Sequence, residues 1–121
     1  MENFSDLKGK TLKSVVKTNN DELVFVLEDN RKYKLFHQQQ CCENVYIGDI
    51  NGDLIDLIGS PVLLAEESSN DMSDNSDLCS YSETWTFYRL ATIKGYVDIR
   101  WVGSSNGYYS EGVNFEQVFN E

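Results

Sequence analysis

The chain has 121 residues, 40% of them hydrophobic and 12% aromatic, with a net charge of -10 and a pI near 4.4. That length closes one core, and that apolar content excludes an intrinsically disordered chain. The acidity disfavours direct nucleic-acid binding and anionic membrane surfaces, which both call for cationic side chains, and no apolar run of about 18 residues is present to span a bilayer.

Such a charge attracts a basic protein surface; the plainer reading is that it only keeps a small protein soluble. Met1 to Asp6 lacks the basic and apolar regions of a secretion signal. The expectation is a single domain over residues 1–121 in the cytoplasm, its three cysteines serving as thiols or metal ligands rather than a disulfide frame.

Residues 4–9 read as a short turn or frayed helix. Residues 11–18 form a strand with Leu12, Ser14 and Val16 on one face, and Asn19-Asn20-Asp21 turns the chain. Residues 23–28 form a second strand, apolar through its middle, as when both faces are partly covered. Asp29-Asn30 turns again, and residues 32–37 form a third strand with Tyr33, Leu35 and His37 on one face. Three strands joined by short polar turns make an antiparallel meander. The chain then leaves the sheet. Residues 53–58 resemble a short helix, with Asn51 as N-cap and Gly59 and Pro61 as its stop. Residues 62–65 form another strand.

Residues 66–77 carry Glu66, Glu67, Asp71, Asp74 and Asp77 among serines and asparagines and read as an exposed polar loop. Their spacing lacks the glycine and the final glutamate of a calcium loop. Residues 83–93 form the clearest strand, with Trp85, Phe87, Ala91 and Ile93 alternating with Thr84, Thr86, Tyr88 and Thr92. Lys94-Gly95 turns it back, and residues 96–102 put Val97, Ile99 and Trp101 on the core face with Asp98 and Arg100 outward. Asn106-Gly107 is a hairpin signal, residues 108–115 return, and residues 116–121 are a last helical turn or a frayed tail. The fold class is α+β: mostly antiparallel β-sheet in two meanders, with one or two short helices.

The stretch His37-Gln38-Gln39-Gln40-Cys41-Cys42-Glu43 holds the only histidine and two of the three cysteines. It also marks a change of sign. Lys8, Lys10, Lys13, Lys17, Arg31, Lys32 and Lys34 precede it, and no lysine or arginine follows until Arg89. Zinc takes imidazole and thiolate ligands tetrahedrally. His37, Cys41 and Cys42 supply three candidates for a structural zinc, with Cys79, Glu43, Asp49 or water as the fourth. Adjacent side chains point apart in extended backbone, so a bend at Cys41-Cys42 is required. The competing reading is a half-buried histidine beside two buried thiols; a strained vicinal disulfide is a third.

Catalytic signals are weak. Cys41 or Cys42 with His37 has the residue types of a nucleophile and base but no orienting third group. Asp53 and Asp56 fit a solvated helix face. No phosphate loop, dinucleotide fingerprint or nucleophile elbow occurs. Arg89 and Arg100 lie on strands in a mainly acidic half. They either clasp a nucleotide beside an aromatic ring or pair with Asp98 or Glu83, the commoner arrangement.

His37-Gln-Gln-Gln-Cys41-Cys42-Glu43, Gly52-Asp53-Leu54 and Leu57-Ile58-Gly59-Ser60-Pro61 resemble a family of small phage and bacterial proteins described only as a domain of unknown function. Trp85-Thr-Phe-Tyr88, Ala91-Thr-Ile-Lys-Gly95, Ile99-Arg-Trp101 and Ser105-Asn-Gly-Tyr-Tyr109 extend the resemblance over most of residues 10–115. The chain is also similar to zinc-binding anti-CRISPR proteins of type II systems. That likeness implies a non-enzymatic phage inhibitor that docks on the host's RNA-guided DNA nuclease and blocks loading of target DNA. Glu66, Glu67, Asp71, Asp74 and Asp77 would meet the basic channel of such a nuclease. The alternative is a sponge for a nucleotide signal, with Arg89, Arg100 and the aromatics forming its pocket.

Overall fold

A computed structural model describes residues 3–40, 42–71, 82–105 and 110–118. Two four-stranded antiparallel sheets carry the fold within them, and helix is confined to two 3-10 turns, Phe4–Leu7 and Leu54–Leu57. The first sheet orders β1 (Leu12–Thr18), β2 (Glu22–Leu27), β3 (Lys32–Phe36) and β8 (Asn114–Val118) as β1-β2-β3-β8. The second orders β4 (Asn44–Asn51), β5 (Leu64–Asp71), β6 (Ser82–Thr92) and β7 (Gly95–Ser105) as β4-β7-β6-β5.

One core joins the sheets. Leu23, Phe25, Leu35 and Phe115 from the first and Ile47, Leu90, Ile99 and Trp101 from the second belong to a single buried cluster. Phe4 links them, with its ring 4.6 Å from Tyr88, 5.5 Å from Phe115 and 6.2 Å from Phe25. Edge-to-face and tilted contacts at these separations suit the quadrupoles of aromatic rings.

The first meander follows the sequence pattern. Asn19 and Asn30 take positive φ angles of 54° and 73° in its two turns, a conformation that asparagine tolerates. One detail differs: a register shift between Leu12 and Ser14 breaks the alternation of β1. Leu12 is buried, Val15 packs on the core, and Val16 is 52% exposed. A bulge adds a residue to one strand and so reverses the faces that follow it.

Other expectations change too. Residues 44–51, read as having left the sheet, form β4, with Val45 and Ile47 buried and a second register shift between Ile47 and Asp49. Residues 66–71, read as loop, belong to β5, where Glu66 lies opposite Arg89 and Glu67 opposite Tyr88. A ladder satisfies backbone groups whatever the side chains are, and an edge strand keeps polar side chains in water. β6 is out of phase with its reading. Thr86, Tyr88 and Leu90 face the core and Trp85 and Phe87 face away, because Trp101, Ile99 and Val97 across the ladder select that set. Ile93 lies in the turn, 82% exposed.

β8 does not fold back on β7. It pairs with β3, setting Phe115 opposite Leu35, since β4 and β6 already occupy both edges of β7. The hairpin signal Asn106-Gly107 and the end of the tail lie outside the described residues. The predicted short helix is the second 3-10 turn, and Asp53, not Asn51, caps it by accepting from the Ile55 amide at 3.1 Å.

Candidate functional site

His37 follows β3 and Glu43 precedes β4, so the stretch between them carries the chain from one sheet to the other. The side chains of both are buried, at 4% and 0% exposure, with His37 Nε2 2.7 Å from Glu43 Oε2. His37 Nδ1 lies 2.7 Å from the carbonyl oxygen of Gly112, just before β8. A carbonyl only accepts, so Nδ1 carries a hydrogen. Nε2 then faces a carboxylate oxygen. Oε2 also accepts the Gln40 amide at 2.8 Å, which suits an ionised carboxylate. Both ring nitrogens of His37 are thus engaged, one by Glu43 and one by Gly112. Gln39 adds to it, donating from its side chain to the Glu43 carbonyl at 2.6 Å.

A second carboxylate braces the same end of the fold. Glu111 is buried and accepts from Thr84 at 2.7 Å and Ser105 at 2.5 Å. A Cβ on Gly103 would stand 2.8 Å from Glu111 Cβ and 2.9 Å from its carbonyl oxygen. Glycine there lets residue 111 lie against β7, which in turn presents the Gly112 carbonyl to His37.

Of the candidate zinc ligands, His37 has both ring nitrogens engaged. Cys42 is disulfide-bonded, in place of the expected thiol, and a sulfur so bonded is not a thiolate ligand. Cys41 and Cys79 lie outside the described residues. The described residues contain no group of three or more histidine, cysteine, aspartate or glutamate side chains placed to hold a metal ion.

The outer face of the second sheet is differently made. Arg89 pairs with Asp98 across the β6–β7 ladder, Nε to Oδ1 at 2.7 Å. That hydrogen bond, and then the charge behind it, hold the guanidinium above its ordinary range. Arg100 has no such partner among the described residues. Its Cζ lies 4.6 Å from the centre of the Trp85 ring, and its Nε is buried without a hydrogen-bond acceptor among the described residues. Asp49 and Phe87 are its neighbours in register, yet the described ion pairs are Arg31–Asp29, His37–Glu43 and Arg89–Asp98.

Local sequence sets this geometry. Alternation on β6 and β7 puts Trp85, Phe87 and Arg100 on the face opposite the core. Trp85 is anchored by its indole N–H, which donates to Glu83 at 2.5 Å, and its ring meets Phe87 at 6.3 Å. Gly48 leaves room for Val102, whose Cγ2 would lie 2.8 Å from a Cβ there, while the guanidinium would sit in ordinary contact at 3.5 Å. A groove of about 1280 Å³ is lined by Trp85, Phe87, Arg89 and Arg100 on this face and by Phe4, Tyr88 and Phe115 from the core side, so only part of it opens beside Arg100.

Glu66 and Glu67 are exposed on β5, and Glu67 accepts from the Tyr88 hydroxyl at 2.6 Å. Burial, and then the Glu67 carboxylate, push the Tyr88 phenol far above its ordinary range. Asp71 ends β5, while Asp74 and Asp77 lie outside the described residues. Gly48, Gly103, Glu111 and Gly112 were missed in the sequence. A lone glycine within an apolar run was the available signal for the first two.

One family model matches residues 5–115, a domain of unknown function, DUF7448. The chain belongs to that family. The DUF7448 match spans both sheets, the His37–Glu43 junction and the Arg100 face. Comparison with curated proteins gives no match, and comparison with solved structures gives none. No helix among the described residues is long and apolar enough to cross a membrane.

Proposed function

We propose that this DUF7448 chain acts by binding, without a reaction of its own, and that its acidic second sheet docks on a cationic host protein in the bacterial cytoplasm. Segregated charge supports the reading. Lys13, Lys17, Lys32 and Lys34 lie on β1 and β3, whereas β4 and β5 carry Asp49, Glu66, Glu67 and Asp71 with no lysine or arginine. β5 is a sheet edge, and residues 66–70 are exposed along it. An acidic edge both deters self-pairing and attracts a basic partner.

The target proposed from the anti-CRISPR resemblance is the RNA-guided nuclease of a type II system. Its heteroduplex channel is positively charged, and a protein of charge -10 seated there would compete with target DNA. Zinc has no part in this reading: a metal at His37 would have to displace Glu43 or Gly112, and Cys42 would have to be reduced.

The test neutralises Glu66, Glu67, Asp71, Asp74 and Asp77 together by Glu→Gln and Asp→Asn changes. Association with the nuclease, followed by biolayer interferometry at low and high salt, should slow roughly tenfold and lose most of its salt dependence. Unchanged association would remove the acidic segment from the mechanism. Cleavage of target DNA that proceeds equally with and without the parent protein would remove the target.

A further inference from the structure

We infer that the Arg100–Trp85 face is a binding site for a planar ring bearing one phosphate, a ligand of the nucleoside monophosphate class. The inference stands apart from the protein–protein reading above, since it uses neither the charge of β5 nor the nuclease.

Arg100 is the first observation. The chain holds 20 acidic residues against 10 lysines and arginines, so carboxylates are in excess, yet none among the described residues pairs with Arg100. Asp98, next but one along β7, is taken by Arg89, and Asp49, opposite in register, makes no ion pair with Arg100. The Nε of Arg100 is withdrawn from water with no acceptor among the described residues. A buried donor is unfavourable unless something accepts from it. An oxyanion answers that need, and the planar fork of a guanidinium matches two phosphate oxygens at once.

The aromatic wall is the second. Trp85 and Phe87 are half-buried on the face away from the core, where the core has no use for them. The hydrogen bond to Glu83 anchors the indole, and the guanidinium lies over it at 4.6 Å. A fixed aromatic edge beside a phosphate-matching cation is the pairing by which proteins stack a base while holding its phosphate.

The rim of the groove narrows the ligand. Glu66, Asp49 and Asp98 line it with Asn51 and Ser68. Carboxylates accept from ribose hydroxyls and from exocyclic amino groups, and they repel a polyanion. One phosphate is therefore tolerated at Arg100, and a triphosphate or a nucleic-acid strand is not.

The experiment uses the intact chain. Adenosine 5'-monophosphate, adenosine, inorganic phosphate and adenosine 5'-triphosphate are titrated by isothermal calorimetry, and the Arg100 side-chain Nε–H is followed by ¹H–¹⁵N NMR. The monophosphate should bind at least about tenfold tighter than each of the other three, shift the Nε–H resonance, and weaken at least about tenfold in Arg100→Lys, which keeps the charge but loses the fork. Overturning results are an Nε–H resonance unmoved by millimolar monophosphate, adenosine or triphosphate binding as tightly, or Arg100→Lys binding as the parent does. If Arg100→Lys fails to fold, the parent's titrations and Nε–H resonance decide the matter.

Discussion

The His37–Glu43 junction and the Arg100–Trp85 face each set a basic side chain in a partly or fully dehydrated place, and they resolve it in opposite ways. At the junction, polar groups answer one another: His37 reaches Glu43 and Gly112, Gln40 reaches Glu43, and Gln39 reaches the Glu43 carbonyl. On the sheet face the guanidinium has an aromatic ring and a buried nitrogen without an acceptor. A closed polar network has spent its hydrogen-bonding capacity on the fold. A cation left open beside a groove keeps that capacity for another molecule.

Breaking the junction should give the largest effect. His37→Ala removes the hydrogen-bond partner of the buried Glu43 carboxyl, and such a loss costs about 1–3 kcal/mol, more where the group is charged. Urea denaturation of parent and variant reads this as a lower midpoint, and His37→Gln, which retains a donor, should recover part of it. A His37→Ala midpoint equal to the parent's would mean that Glu43 is not held as described.

Tyr88 lies between the extremes, its ring in the core and its hydroxyl donating to Glu67 at 2.6 Å. Its folded pKa is raised, so the contribution is fully present below the unfolded value near 10 and declines as pH rises above it. Stability should fall by up to about 1.4 kcal/mol per pH unit there. Tyr88→Phe should flatten that slope in denaturation curves at several alkaline pH values; an equal slope in both proteins would assign it to other tyrosines.

The smallest effect sharpens the contrast. Arg100→Met should change stability by less than about 1 kcal/mol in either direction, since it deletes no ion pair among the described residues and relief of a buried donor offsets the lost contact with the Trp85 ring. A loss as large as that of His37→Ala would make Arg100 a structural residue and the face a part of the scaffold.

Much of the scaffold was legible. The asparagine turns, the three-strand meander and the inward face of β7 follow from periodicity and turn chemistry, which act between near neighbours. β6 was misread by one residue because both of its faces carry aromatic side chains, and only pairing with Val97, Ile99 and Trp101 decides between them. β5 was misread because its polarity suits a loop as well as a sheet edge. The His37 stretch stands out in the sequence for its histidine, its cysteines and the change of charge sign, not as the passage from one sheet to the other. Its buried contact with Glu43 was not foreseen, since Glu43 stood only as one possible fourth ligand.

What the chain determined by itself is local: where it turns, which residues alternate, and how its charge is distributed. Tertiary structure alone brought Gly112 to His37 across 75 positions, paired β8 with β3, and left Arg100 over Trp85 without an anion. Short-range sterics and hydrogen-bond spacing are written in neighbouring residues. The partner of a distant group is chosen by competition among all surfaces that the folding chain can bury.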